Sequence, residues 1–346
     1  MKSTICFILF VLLFVISCGK KERWAKEIDQ PKIPVEIIDI SKGYYNPQNQ
    51  IVQLKSNYPF FFDDSVEDSV FDNRRKSDFE LNLFDSIQVI YANQPYKSEL
   101  EDLFTRYKFY FPTIKTPEVF VYSSALQSIY QPVIYSASDA MMFIALDGFL
   151  GSNSSYYKAE NVYLYLVQNM NERNIIPSIV QAIGNEIIPF DPRKQAFVDL
   201  MINEGKKMIL ADALLPNTED YLKIGYSPEK FNWAGSNEGN IWNYFVEQNL
   251  VFSTDKSLSE RFLKVGPYSK FMNEIESDSP GRIGLWIGWQ ICKSYLDLNS
   301  EITLAEFINT DTETIFKGSK YKPSKGSGQY VPLENNSKDE IKQYEN

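Results

Sequence analysis

Apolar and polar positions along the chain follow two different periods, which predict two kinds of element. Runs rich in β-branched, aromatic and aliphatic residues predict strands at 35–40, 118–122, 133–135 and 141–146. Apolar residues three and four positions apart predict helices. These helices span 81–90, 100–111, 162–170, 179–188, 195–213, 228–252, 258–265, 283–298 and 304–308.

The order of these elements predicts the fold class. Strands come first and helices later, which favours an α+β fold with a small β-sheet in the N-terminal half packed with a mainly helical C-terminal half. Local chemistry supports several helix starts. Ser227 before Pro228 is typical of an N-cap followed by proline at the first helical position. Residues 257–260 and 303–306 have the spacing of a capping box.

The N-terminus carries the pattern of a lipoprotein signal. Lys2 precedes an apolar run at 5–16, and small Ser17 stands immediately before Cys18. A run of twelve residues is too short to cross a bilayer, so it indicates a secretory signal. Cleavage before Cys18 exposes its thiol and amine for acylation, and two acyl chains give stable anchoring. The alternative is an ordinary signal peptide with an incidental cysteine, but the abrupt change to charged residues after Cys18 favours lipidation.

Composition divides the rest of the chain into three parts. Residues 18–34 are polar and carry mixed charge, which predicts a lipidated N-terminus and tether reaching up to about 50 to 60 Å when extended. Residues 35–322 are predicted to form a single globular domain, because aromatic residues at 15% supply ample surface for a core. Residues 323–346 are rich in Lys, Ser, Gly, Asn and Glu, which predicts a disordered tail.

Charge and missing residue types exclude several functions. The net charge is −10 and no long basic run occurs, so nucleic acid is not expected as a partner. The chain contains no histidine, which excludes a Ser-His-Asp triad and a histidine zinc site. No cofactor or metal is predicted, and the protein is predicted not to be an enzyme. Only Cys292 remains in the body once Cys6 and Cys18 are accounted for, so no internal disulfide is expected.

A second set of residues indicates a groove for a partner or a ligand. Arg282 and Trp286 lie four residues apart on one predicted helix, a spacing that lets a guanidinium stack over an indole. Trp289 follows on the same helix. The other aromatic and acidic candidates are Trp233, Glu238 and Trp242. Each of these side chains has an alternative interpretation as an ordinary core anchor, and the sequence leaves both interpretations open.

Four further residues favour a structural interpretation over a functional one. Glu204 is a candidate groove residue, or the start of a helical turn before Gly205. Asp147 before Gly148 is first of all a turn signal, with an acid in a cleft as the alternative. Residues 206–207 are two lysines, which are predicted to face solvent.

Five segments in order resemble the GldB family of gliding-motility lipoproteins of Bacteroidetes. They are 107–122, 144–151, 201–216, 237–253 and 279–296. The resemblance covers nearly the whole mature body, and the lipoprotein signal that ends at Cys18 agrees with it independently. It implies a cell-envelope component required for gliding, a behaviour linked in this group to type IX secretion.

The family resemblance also implies an architecture similar to gluzincin metallopeptidases. In that comparison the helix at 177–188 stands where an HExxH helix is expected, and Glu204 lies on the following helix. Because the chain has no histidine, any such architecture is degenerate and metal-free.

Three functions are therefore compared. The first is a non-catalytic assembly or interaction component that faces the periplasm, held to the membrane through Cys18 and in contact with other gliding or secretion proteins. The second is an envelope hydrolase that processes glycan or peptide with paired carboxylates. The third is a ligand-binding lipoprotein with an aromatic-lined cleft. The missing histidines and the family resemblance favour the first.

Overall fold

The computed structural model describes residues 23–24, 27–272, 275–324 and 329–333. The predicted signal peptide at 1–17 and the predicted lipidation site Cys18 lie outside the described residues. The strands are β1 Ile37–Asp39, β2 Glu118–Tyr122, β3 Val133–Ser136 and β4 Met141–Ala145. The helices that precede β2 are α1 Ile40–Tyr44, α2 Ile51–Asn57, α3 Asp68–Arg74, α4 Asp78–Tyr91 and α5 Lys97–Tyr110.

All the regular secondary structure described after β4 is helical. Short 3-10 helices span Leu146–Phe149 and Glu172–Asn174. The α-helices are α6 Ser155–Ala159, α7 Leu164–Val167, α8 Ile175–Ile187, α9 Phe197–Leu214, α10 Asp220–Ile224, α11 Pro228–Glu247, α12 Ser257–Phe262, α13 Ile283–Leu298, α14 Leu304–Asn309 and α15 Thr312–Ser319. None of the helices described combines the length and the apolar character that crossing a bilayer requires.

The four strands form one mixed sheet in the order β1-β2-β4-β3. Strand β2 pairs in parallel with both β1 and β4, and β3 pairs antiparallel with β4. Side chains alternate between the two faces. Val119 and Val121 face the main core, whereas Phe120 faces a smaller cluster with Phe143, whose ring lies 5.3 Å from it. The aromatic segment around Phe62 covers this second face.

Two helices of the main core cross at close range. A Cβ atom on Gly288 of α13 would stand 1.7 Å from the carbonyl oxygen of Met201 on α9. A Cβ atom on Gly205 of α9 would stand 2.4 Å from the carbonyl oxygen of Gly288. Only glycine at both positions allows the two backbones to touch, because any other side chain occupies the same space. Helices α8 and α10 pack against α9, and α11 packs against α13.

The predicted α+β fold class is confirmed, with the small sheet near the N-terminal half and most helices after it. The simpler expectation that strands precede helices is wrong, because five helices precede β2. The helix predicted at 228–252 ends earlier, at Glu247. Asn249 adopts a left-handed φ of 55°, and the Leu250 amide then donates to the Phe245 carbonyl at 2.8 Å. Asparagine tolerates this conformation, so it ends the helix.

Several described residues of the predicted tether contact the body, beginning with Arg23. The Arg23 guanidinium donates to the carbonyl oxygens of Leu296 at 2.8 Å and Asn299 at 3.1 Å, and also to that of Ile302. These carbonyls lie at and just beyond the C-terminus of α13, where helix carbonyls have no partner within the helix. A polar composition therefore does not by itself mean that a segment lacks contacts with the folded body.

A part of the predicted C-terminal tail also lies on the body. The backbone N–H of Val331 donates to Asn237 Oδ1 at 2.8 Å, and Asn237 Nδ2 donates to the Val331 carbonyl at 3.0 Å. Leu333 is 4% exposed. The side-chain amide of Asn237, which is fully buried on α11, therefore pairs this segment as a neighbouring strand would. The last described residues cover α11 instead of extending from it.

Candidate functional site

Two of the predicted groove residues, Trp242 of α11 and Trp286 of α13, lie near the acidic side chain of Glu238. Its carboxylate accepts a hydrogen bond from the Tyr321 hydroxyl at 2.8 Å. Trp242 packs edge-on against the Tyr321 ring, with centroids 5.1 Å apart. Burial raises the pKa of the Glu238 carboxyl, and the Tyr321 hydrogen bond opposes that shift. The nearby Trp286 indole also opposes the shift in the Glu238 pKa.

The tryptophans predicted as aromatic platforms lie mostly in the interior. Trp286 is 5% exposed and packs edge-on against Phe231 and Trp289, with centroids 5.0 and 6.0 Å away. Trp233 lies apart from them and stacks on Tyr330 of the C-terminal segment at 6.5 Å. The six predicted α11 and α13 residues therefore divide between separate surroundings. Burial therefore leaves Trp233, Trp286 and Trp289 almost no open surface for a ligand.

Arg282 does not stack on Trp286 as the spacing predicts. Its guanidinium pairs with the Glu204 carboxylate at 3.5 Å, and Lys207 contacts the same carboxylate at 2.7 Å. Arg282 caps α13 with a left-handed φ of 61°, which turns its side chain away from the following helix. Glu204 and Lys207 line a cavity of about 360 Å³ together with Asn185 of α8. The lining of this cavity is mixed polar and apolar, and two cations hold its Glu204 carboxylate.

A buried ion cluster that the sequence did not reveal surrounds Trp289. Its indole N–H donates to Asp212 at 2.8 Å, and Lys223 donates to Asp212 at 3.1 Å and to Asp220 at 2.8 Å. Lys293 lies over the Trp289 ring at 3.6 Å from its centroid. Burial alone would lower the pKa of Lys223, but the two carboxylates outweigh it and raise that pKa. The cluster joins α9, α10 and α13 through charges that have internal partners.

The helix pair expected from the peptidase comparison is present as α8 and α9, which pack together. Asn185 near the end of α8 and Glu204 of α9 line the same cavity. Across the described ranges, no group of three or more His, Cys, Asp or Glu side chains could hold a metal ion. The peptidase-like architecture therefore stays a prediction drawn from resemblance.

Asp147 lies in no cleft and is fully buried at the end of β4. Its carboxylate accepts hydrogen bonds from the Ser124 amide at 3.0 Å, the Ser124 hydroxyl at 2.8 Å and the Leu126 amide at 2.7 Å. Leu126 has a φ of 66°, a left-handed conformation that turns its amide toward the carboxylate. Asp147 therefore holds the loop after β2 in place.

Lys206 is buried, which contradicts the prediction that it faces solvent. It is 3% exposed, and its ammonium donates to the carbonyl oxygens of Ile308 at 3.0 Å and Thr310 at 2.6 Å. These carbonyls lie at and just after the C-terminal end of α14, where helix carbonyls need a donor. Burial lowers the pKa of the Lys206 ammonium. The adjacent Lys207 is only partly buried and pairs with Glu204.

A cleft of about 600 Å³ lies between the N-terminal segment, α5 and the loop before α10. Its rim carries charges of both signs that pair with each other. Lys32 contacts Asp102 at 2.8 Å, and Arg173 contacts Glu219 at 3.5 Å. These pairs are half exposed, so each contributes about 1 kcal/mol or less. The cleft offers polar surface with little net charge, and no feature of the sequence pattern indicated it.

One comparison with known proteins finds a match and two do not. A family profile described as gliding motility protein GldB matches residues 21–323, which is more than half of the chain. No curated protein and no solved structure matches. The matched range contains the sheet, the α9 and α13 crossing and the Glu238 and Asp212 clusters.

Proposed function

The chain belongs to the GldB family of gliding-motility lipoproteins, and from this membership we propose that it is a non-catalytic assembly or interaction component of the gliding and type IX secretion machinery. In this proposal the lipid is attached to Cys18 and the body faces the periplasm. Family membership itself indicates a cell-envelope lipoprotein.

The non-catalytic role is supported by one observation: the candidate polar side chains are paired with other residues of the fold. Glu204 is held by Arg282 and Lys207, and Glu238 accepts from Tyr321. A general acid or base needs to reach a substrate proton, and a ligand platform needs an open face. These carboxylates are instead paired with other side chains of the fold. They support a rigid body with a fixed surface.

The absence of histidine from the chain agrees with this role. Histidine is the side chain whose ordinary pKa suits proton transfer near neutral pH. Without it, an enzyme of this chain would rely on carboxylates alone. The paired-carboxylate hydrolase is therefore the alternative that a mutational test needs to address.

The experiment compares four variants in a gliding host that lacks the native gene. Cys18→Ala is expected to lose radiolabelled palmitate and to stop gliding at normal protein level. Cys292→Ala is the matched control, because its thiol is buried and cannot take lipid in the folded protein. It is expected to retain both label and gliding.

Glu204→Gln and Glu238→Gln test the non-catalytic part of the proposal. Both substitutions keep side-chain size and remove the charge that acid or base catalysis needs. Normal gliding by both variants is expected. Loss of gliding by either variant, with the protein folded and lipidated, would contradict the non-catalytic role. Full gliding by Cys18→Ala would contradict the anchor.

A further inference from the structure

The N-terminal segment is bound to the body almost as far as the proposed anchor. Beyond the Arg23 contacts, the Trp24 ring meets Tyr110 edge-on at 5.8 Å, and the Trp24 carbonyl accepts from Arg106 at 2.5 Å. Further along, the amide of Ile33 donates to the Thr105 hydroxyl at 2.9 Å. The segment therefore contacts α13 at its first described residue and then follows α5.

These contacts change how far the body stands from the lipid. Only five residue steps separate Cys18 from Arg23. At no more than about 3.6 Å per residue, they span at most about 18 Å. The tether predicted from composition for 18–34 would allow about three times that distance. Because Arg23 is fixed on α13, the short connection limits both the distance and the orientation of the body.

We infer that one face of the protein is held against the bilayer surface, and this inference rests on the proposed lipidation of Cys18. We call it the leash face and define it by Arg23, Trp24, Phe109, Leu298 and Glu301. Phe109 and Leu298 are exposed by 39% and 57%, so apolar side chains are available at this surface. The partner is a lipid headgroup surface.

The length of the connection, and not electrostatic attraction, holds the leash face at the membrane. Asp297 and Glu301 lie close enough to Arg23 to act on it electrostatically and offset its charge. Exposed charges of opposite sign in one place leave little net field toward anionic lipid. The leash face is therefore expected to leave the membrane when the connection is lengthened, even though its own residues are unchanged.

The test uses the full lipidated chain in vesicles of phosphatidylethanolamine and phosphatidylglycerol that contain a headgroup spin label. Leu298→Cys places a fluorophore on the leash face, and the buried Cys292 thiol does not compete for the label. A matched variant carries the same probe and twelve Gly and Ser residues inserted after Gly19, which adds up to about 43 Å of reach. A second variant, Arg23→Ala with Trp24→Ala, removes the contacts of the Arg23 guanidinium with α13 and of the Trp24 ring with Tyr110 of α5.

Strong quenching of the Leu298→Cys probe is expected with the native connection. A several-fold loss of quenching is expected in the lengthened chain and in the chain with Arg23→Ala and Trp24→Ala. Weak quenching in all three chains, although they float with the vesicles, would overturn the leash face and leave the anchor standing. Equal strong quenching in all three would show that side-chain contacts hold the face and would overturn the length argument. Failure to float would overturn the lipid anchor and this inference together.

Discussion

Gly288 of α13 lies against Met201 of α9 so closely that a Cβ atom would stand 1.7 Å from the Met201 carbonyl oxygen. Real Cβ atoms do not approach backbone oxygen at this distance, so a side chain at Gly288 forces the helices apart. The helix pair carries Glu204 and Asp212 on one side and Arg282 and Trp289 on the other. Its spacing therefore sets the geometry of both charged clusters.

Gly288→Ala is expected to lower the free energy of unfolding by about 3 kcal/mol, as overpacking of a tight core does. Gly235→Ala on α11 is the control. The nearest atom to its Cβ lies 3.8 Å away, so alanine fits. That variant is expected to be unchanged or more stable by up to about 1 kcal/mol, because alanine favours a helix over glycine. Urea unfolding followed by circular dichroism measures both. Equal stability of the two variants would contradict the close crossing.

Lys223→Met is expected to destabilise the protein by about 3 kcal/mol, because it leaves the Asp212 carboxylate buried beside an apolar chain. Adding Asp212→Asn removes the unpaired charge and keeps an oxygen for the Trp289 N–H. The double variant is therefore expected to recover at least about half of that loss. Urea unfolding of wild type, both single variants and the double variant gives the coupling energy. Additive losses of the two single variants in the double variant would show that the pair is not coupled.

The Glu238 carboxyl is expected to make the protein less stable as pH rises through its pKa. A carboxylate whose pKa is lowered by folding has the opposite effect. The Glu238 pKa in the folded protein is raised above the ordinary 4.5, so the folded state binds the proton more tightly than the unfolded chain does. This contribution to stability is present below pH 4.5 and is lost as pH rises through the raised pKa. Glu238→Gln is therefore expected to be more stable than wild type at pH 7, and this gain disappears toward pH 4.

Glu306→Gln supplies a control of opposite sign. The amide and hydroxyl of Thr303 hydrogen-bond the Glu306 carboxylate and lower its pKa. That stability is present at pH 7 and is lost as pH falls through the lowered pKa. The variant is therefore expected to be less stable than wild type at pH 7, with a difference that shrinks in acid. Thermal unfolding between pH 3.5 and pH 8 measures both variants. Parallel pH curves for Glu238→Gln and wild type would contradict the raised pKa.

Local patterns predicted the parts of the fold that depend on local chemistry. Strand β2 lies at 118–122 as predicted, because β-branched and aromatic side chains suit a strand buried on both faces. The predicted capping box at 303–306 is present on α14. The one predicted at 257–260 is absent, because Asp255 accepts from the Ser257 amide and hydroxyl instead. Asp255 takes the Ser257 donors that a capping box would use, and the spacing of Ser257 and Glu260 does not reveal this competition.

The candidate site was predicted less completely, because its contacts join distant parts of the chain. Trp289 and Asp212 are 77 residues apart in sequence, and no local period relates them. In the sequence, Lys206 cannot be distinguished from a surface lysine. Only the fold brings its ammonium to the carbonyl oxygens at the end of α14. Arg282 was expected to meet the residue four positions later. The left-handed turn at Arg282 directed it to Glu204 instead.

The way in which Arg23 binds α13 has a mechanical consequence. One guanidinium holds three carbonyl oxygens, so a pull on the preceding chain loads three hydrogen bonds at the same time and not one after another. No compliant spacer lies between that point and the helix. Drag on the N-terminus therefore passes directly into α13, and through its glycine crossing into α9, as a stiff joint transmits force.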